Sequence, residues 1–240
     1  MRGLTAWTAG LAGERDPAQP LLTLYDGPAR VELSGATTAN WVAKSANLLV
    51  DGLGSPARVG LLLPLHWQSL SLLLAGVATG ATVVVAAEPS ELAGCAAAFV
   101  TGPAAPGALD AGVDEVLALS CHPLGAPLPS VPAMVTDYAR EVPSYADHWG
   151  GRTPGPARIE VGSAPLGELP ALGLTGADRV LLGVPLTEPA GLAVLLAALG
   201  DGAGLLLVPD PSAVDFERLA AQEGATAAHG LAVGGLRALP

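Results

Sequence analysis

The sequence predicts an α/β protein made of two related βαβ-based halves with mainly parallel sheets. Three observations predict this. Residues 58–85 (RVGLLLPLHWQSLSLLLAGVATGATVVV) read as strand, turn, helix, tight stop and strand. Residues 179–208 (RVLLGVPLTEPAGLAVLLAALGDGAGLLLV) repeat that order: Arg58-Val59 matches Arg179-Val180, Pro64-Leu65 matches Pro185-Leu186, and Gly80-Ala81 matches Gly202-Ala203 after a one-residue insertion. The strand runs also carry no polar face, so they are buried on both sides, as in the interior of a parallel sheet.

Each element has a local reason. Strands are expected at about 59–63, 82–86, 180–184 and 204–208, and helices at about 67–79 and 190–200. Leu70, Leu73, Leu74 and Val77 share one helical face, and Gly80 supplies a left-handed stop. Residues 1–23 form an N-terminal extension with a short helix near 4–12 and no sustained apolar core, so no signal peptide is expected. Asp26-Gly27-Pro28 is turn chemistry within a hairpin over 24–33. Thr37 or Thr38 caps the next helix, whose Val42, Ala46, Leu49, Val50 and Leu53 share a face and which Gly52 and Gly54 end.

After Val85 the elements shorten. A short helix starts at Glu88-Pro89-Ser90, and buried strands are expected at 97–100 and 115–119. A Pro-rich connection over 120–132 leads to a short strand and a turn of helix within 134–142. A strand at 157–161 precedes the second unit. Ser212 and Asp215 stand at capping-box spacing for a helix over 213–223, and a strand over 225–228 follows. The division is then 24–142 for the first half, 143–156 for the connecting loop and 157–240 for the second half.

Composition narrows the function classes. Half the residues are hydrophobic, yet Pro64, His66, Gln68 and Gly80 interrupt the first long apolar stretch and Asp201 the second. Neither reaches the roughly 20 uninterrupted apolar residues of a membrane span. A net charge of −11 argues against nucleic acid or an anionic membrane as partner. Cys95 and Cys121 stand far apart and outside any C-x-x-C pair, as in a cytoplasmic protein with two neutral thiols.

Few motifs carry chemistry. Ser34-Gly35-Ala36-Thr37-Thr38 lacks the following glycine and lysine of a phosphate loop, and helix capping accounts for its threonines. Gly162-Ser163-Ala164-Pro165-Leu166-Gly167 is not G-x-S-x-G. His66, His122, His148 and His229 have no metal-ligand spacing, so no metal site is expected. Asp147-His148 reads as a solvated surface pair. Ligands of a parallel sheet bind beyond the carboxyl ends of its strands, and the repeat puts His66, Trp67, Thr187 and Glu188 there. These four are the candidate ligand-binding residues, with Trp67 as a flat stacking face. A packing role for Trp67 and a helix-terminal role for Glu188 compete with that reading. No catalytic set is assembled.

At the two units the chain resembles the N-terminal region of adenylate-forming enzymes: acyl-CoA synthetases, peptide-synthetase adenylation domains and luciferases. LSGATTANWVAKSANLL looks like their hairpin-and-helix segment, and RVGLLLPLHWQSLSLLLAGVATGATVVV is similar to their "R-V-a-l-l-l-p-n…a-l-l-A…G-A" segment. DRVLLGVPLTEPAGLAVLLAALGDGAGLLLV is similar to their later "D-R-v-l…P-l-f-H-x-x-G-l" segment, and ERLAAQEGATAAHGLAVGGLRAL to the helix and strand that follow it. More specifically, the chain resembles a group of short actinobacterial proteins related to those enzymes. The departures are chemical. The family's Thr/Ser/Gly-rich loop ending in Pro-Lys-Gly has no counterpart between Pro143 and Asp178, where there is no lysine, and Lys44 is the chain's only one. Glu188 stands where many members have His. The family's Y-G-x-T-E segment, ribose-binding Asp and C-terminal catalytic Lys would lie beyond Pro240. The resemblance therefore implies a truncated, degenerate and non-catalytic relative, a ligand-binding or assembly module with a protein partner or a second copy and no cofactor. The alternative it implies is a residual or partner-dependent acyl-adenylating enzyme that uses ATP.

Overall fold

The computed structural model describes residues 16–151 and 158–240. The helix expected near 4–12, residues 152–156 of the connecting loop and Ala157 at the start of the expected 157–161 strand lie outside them.

Strands β1 (Pro20–Asp26) and β2 (Ala29–Ser34) form an antiparallel hairpin turned at Gly27, whose φ is +54°. Helix α1 (Gly35–Asn47) follows at once, capped by Ser34 and not by Thr37 or Thr38. Ser34 has the extended backbone that a cap needs and accepts from the Thr37 N–H at 3.2 Å, while Thr38 lies inside the helix and donates back to the Ser34 carbonyl. Its last turn widens into a π turn over Leu48–Gly52, which buries Leu48 and Leu49, and Gly54 leaves at φ +68°.

The first predicted unit is β3 (Arg58–Leu62), α2 (Trp67–Thr79) and β4 (Thr82–Val85), with Gly80 at φ +81° as the stop. Every residue from Trp67 to Ala78 is buried, as expected of a helix that is apolar nearly all round. Gly76 lets α2 lie on β4, because a Cβ there would come within 2.4 Å of the Val83 side chain. Next come β5 (Ala97–Thr101), α3 (Ala105–Asp110), β6 (Glu115–Leu119), β7 (Val135–Asp137), α4 (Tyr138–Glu141), β8 (Arg158–Val161) and β9 (Ala164–Pro165).

The second unit is β10 (Arg179–Leu182), α5 (Pro189–Gly200) and β11 (Gly204–Leu207), followed by α6 (Phe216–Glu223), β12 (Ala227–His229) and β13 (Arg237–Ala238). Helix α6 starts at Phe216, three residues later than expected. Ser212 bonds Asp210 in a 3-10 turn over Pro211–Ala213, and Asp215 alone caps the helix at the Arg218 N–H.

The strands form two sheets, β7-β6-β5-β3-β4-β8-β9 and β13-β12-β10-β11-β1-β2. Both repeat units are parallel pairs, Arg58 beside Thr82 and Arg179 beside Gly204. Among the described residues only β1–β2 and β8–β9 pair antiparallel. The sheets do not follow the expected division into contiguous halves. The leading hairpin joins the second sheet, with Leu22 beside Leu205, and β8 returns to the first, with Arg158 beside Thr82. Each supplies a neighbour for the open side of a buried strand, β11 or β4, whose backbone groups need partners. The largest apolar cluster holds the inner faces of both sheets together with residues of α1, α2 and α5, so these helices fill the space between the sheets. Two smaller clusters put α3 on the outer face of the first sheet and α6 on that of the second.

Candidate functional site

The carboxyl ends of β3, β4 and β5 open into a groove of about 400 Å³. Leu62, Leu63, Pro64, Ala86 and Ala87 make most of its wall, and Thr101 and Thr187 supply hydroxyls. Thr187 comes from the loop between β10 and α5, so one predicted residue from the second unit faces strand ends of the first.

The other three predicted residues are placed differently. Trp67 is 3% exposed, donates Nε1–H to the Pro123 carbonyl at 2.8 Å and meets Trp41 edge-on with ring centroids 5.0 Å apart. It offers no open face for stacking. Helix α1 and the 120–132 loop cover it, a tertiary effect that the spacing of α2 does not display. His66 caps α2: its Nδ1 accepts from the Gln68 N–H at 3.2 Å, which leaves the proton on Nε2. Burial lowers its pKa to about 4, so the ring is neutral. Three buried polar atoms at this helix start lack hydrogen-bond partners: His66 Nε2, Gln68 Oε1 and Ser69 Oγ.

Glu188 caps α5. Its Oε2 accepts from the Gly191 N–H at 2.5 Å and lies 3.6 Å from Nε2 of His229 at the end of β12. Gly191 permits this, since a Cβ there would come within 2.5 Å of the carboxylate. The carboxylate expected among the ligand-binding residues is thus held by a helix terminus and faces an imidazole. His229 escaped the sequence reading because the last strand was expected to stop at Ala228, and one more residue would have put it among the strand-end candidates.

The remaining charged groups are largely committed. Lys44 donates to the Tyr145 carbonyl at 2.6 Å, and its neighbour on α1, Asn47, holds the carbonyls of Ala146 and His148. Arg30 and Arg179 pair with Glu223, Arg58 with Glu160 and Arg140 with Asp137, while Arg237 donates to the Leu172 carbonyl. Asp147 and His148 are both exposed. Ser163 lies in the tight turn between β8 and β9, where Gly162 has φ +59°. Among the described residues no group of His, Cys, Asp or Glu is arranged to hold a metal ion, and no helix is long and apolar enough to cross a membrane.

No known family model matches the chain. A Mycobacterium tuberculosis (strain ATCC 25618 / H37Rv) TIGR03089 family protein is 36% identical over 222 residues, covering 88% of this chain and 91% of that one. Among solved structures, a Brucella canis acyl-CoA synthetase superposes with a TM-score of 0.73 at 17% identity, covering 93% of this chain and 47% of that one. A benzoate CoA ligase from Burkholderia xenovorans LB400 gives 0.71 at 17% identity, with 95% and 50% covered. The N-terminal domain of FACL13 from Mycobacterium tuberculosis gives 0.68 at 17% identity, with 96% and 63% covered. The chain thus spans about half the length of the two full synthetases. Its two-sheet architecture is that of the N-terminal domain of adenylate-forming enzymes, and the chain belongs to the TIGR03089 family.

Proposed function

We propose that the chain is a non-catalytic module on the adenylate-forming fold, binding a neutral ligand in the strand-end groove or assembling with a protein partner or a second copy. The observation that carries this reading is that no cation of the described residues lines the groove. Transfer of an adenylyl group needs positive charge or a backbone nest on the phosphates. The chain's only lysine holds backbone carbonyls of the 143–148 segment, and none of the described arginines lines the groove. Its lining side chains are apolar apart from the hydroxyls of Thr101 and Thr187, and the nearby loop carries the Glu188 carboxylate. The reading needs no cofactor and places the protein in the cytoplasm, where Cys95 and Cys121 stay reduced.

The second reading, residual or partner-dependent acyl adenylation with ATP, is favoured by the fold shared with an acyl-CoA synthetase and a benzoate CoA ligase. One assay separates the two. Pyrophosphate exchange with ATP over a panel of fatty, aromatic and amino acids is expected to stay at background, with or without native cell extract. Exchange with any of them that disappears on substitution of a residue in this chain establishes the second reading.

A further inference from the structure

Three of the four sheet edges among the described residues are too short to template another strand. β7 runs three residues, and β9 and β13 two each, which is one way that proteins blunt an edge. β2 (Ala29–Ser34) is the exception, six residues at the margin of the second sheet. Its hairpin loop holds only Gly27 and Pro28, so Asp26 and Ala29 form a hydrogen-bonded pair and the pairing alternates from there. Leu24 and Val31 are then hydrogen-bonded too, and the N–H and C=O of Arg30 and Glu32 point away from β1. Among the described residues those outward groups have no hydrogen-bond partner.

The side chains make this edge self-complementary. Arg30 and Glu32 stand on the outer face with α6, and Val31 and Leu33 on the inner face with the main apolar cluster. The bonds to Glu223, Tyr25 and Glu32 use Nε and Nη2 of Arg30. Its Nη1 and the Oε1 of Glu32 stay open among the described residues. Two copies of β2 related by a two-fold axis run antiparallel, and the symmetry keeps each face on its own side, so only residues of one face can stand opposite each other. Centred on Val31, the pairing puts Arg30 against Glu32 of the second copy, and Glu32 against its Arg30. Centred on Arg30 or on Glu32 instead, it sets like charges directly opposite, which is destabilising. The wider charge pattern agrees. β2 and α1 carry one acidic residue, Glu32, beside Arg30 and Lys44, in a chain of net charge −11. Two copies therefore meet here without the repulsion that their net charge implies.

We propose that β2 is the interface of a homodimer, pairing antiparallel with β2 of a second copy about Val31 and joining two six-stranded sheets into one. The interface rests on the assembly part of the function proposed above, while the strand-end groove and the pyrophosphate-exchange result stand or fall separately.

Sedimentation velocity on the whole chain, over about three decades of concentration up to roughly 100 µM, is expected to show reversible dimers. Glu32→Pro removes an outward N–H, spares the β1–β2 ladder and should leave a monomer, its fold checked by circular dichroism. Glu32→Arg sets guanidinium against guanidinium at both ends of the pairing and should weaken the dimer about tenfold. Cross-linking reads the register. Paired about Val31, the two Val31 Cα atoms stand about 4.5 Å apart, within disulfide reach, and the two Glu32 Cα atoms about 8–9 Å apart, beyond it. Oxidised Val31→Cys should therefore run as a covalent dimer and Glu32→Cys as a monomer, with the wild type giving the background from Cys95 and Cys121. A wild-type chain that stays monomeric at the top of that range overturns the proposal. So does a dimer that survives Glu32→Pro in a folded variant, one that Glu32→Arg leaves at full strength, or one that Glu32→Cys locks and Val31→Cys does not.

Discussion

Arg30 and Glu223 grip each other across 193 positions of chain, Nε to Oε1 at 2.8 Å and Nη2 to Oε2 at 3.1 Å. The same carboxylate accepts from Arg179 Nη1 at 3.0 Å and from the Tyr25 hydroxyl. One buried acid thus fastens β1, β2 and β10 to α6. The Arg30 hydrogen bond, then that of Tyr25 and the two guanidinium charges, hold its pKa at about 2 against the opposing effect of burial. The folded value lies below the unfolded one, so the stabilisation is full above about pH 4.5 and is lost as pH falls towards 2. Glu223→Gln is expected to cost about 2 kcal/mol at pH 7, less than the whole shift implies because the Arg30 side of the pair is in solvent. Urea unfolding at pH 7 and pH 2.5 checks it: the gap between wild type and variant closes in acid, and an unchanged gap refutes the assignment.

His66 gives a second pH dependence in a higher window. Its ring resists protonation until about pH 4, whereas an unfolded histidine charges near 6.5. The unfolded chain therefore binds a proton first, and stability falls as pH drops from about 6.5 to 4, by roughly 3 kcal/mol. Asparagine keeps the cap and does not titrate. Relative to the wild type, His66→Asn should gain about 2–3 kcal/mol between pH 7 and pH 4. Parallel pH profiles for the two proteins would show that the ring is not the titrating group.

Trp67 is a packing residue on this structure. Trp67→Phe deletes the part-buried bond to the Pro123 carbonyl, at a cost of about 1 kcal/mol. Trp67→Ala is expected to cost about 3–5 kcal/mol. Chemical denaturation measures both. A Trp67→Phe variant as stable as the wild type would return the indole to the list of ligand-binding side chains.

Glu188 can be tested as a helix cap against a ligand-binding side chain. Glu188→Gln keeps an acceptor for the Gly191 N–H and should stay within about 0.5 kcal/mol of wild type, whereas Glu188→Ala should lose about 1 kcal/mol. Glu188→His loses the cap and puts a second imidazole against His229, with a similar loss and no new affinity for carboxylates or nucleotides. Tighter calorimetric binding of either ligand by that variant would show that the carboxylate had been repelling it.

The two repeat units were legible because their evidence is local. The apolar run stopped by Pro64, the leucines of α2 and the left-handed Gly80 each describe a few neighbouring residues. The exchange of strands between sheets was not legible, because Leu22 finds Leu205 only when β11 already offers an open side. Trp67 misled for the same reason: its helix reads identically whether or not α1 lies over it. Thr187 reached a groove because strand ends converge on one side of a parallel sheet, a rule that works from sequence once the strands are placed.

The pairing of β1 with β11 also sets an order of events at the ribosome. Leu22 emerges early, yet its neighbour Leu205 is 183 residues later in the chain. At 5–20 residues per second, that gap is roughly 10–40 s of synthesis. Throughout that interval the nascent hairpin carries Leu22 and Leu24 with no sheet to enter, and β4 waits in turn for β8. A chain built this way is exposed to holdase chaperones, and to self-association through unpaired edges, throughout that interval. Slowing elongation between β8 and β10 should lower the soluble yield more than the same slowing upstream of β1.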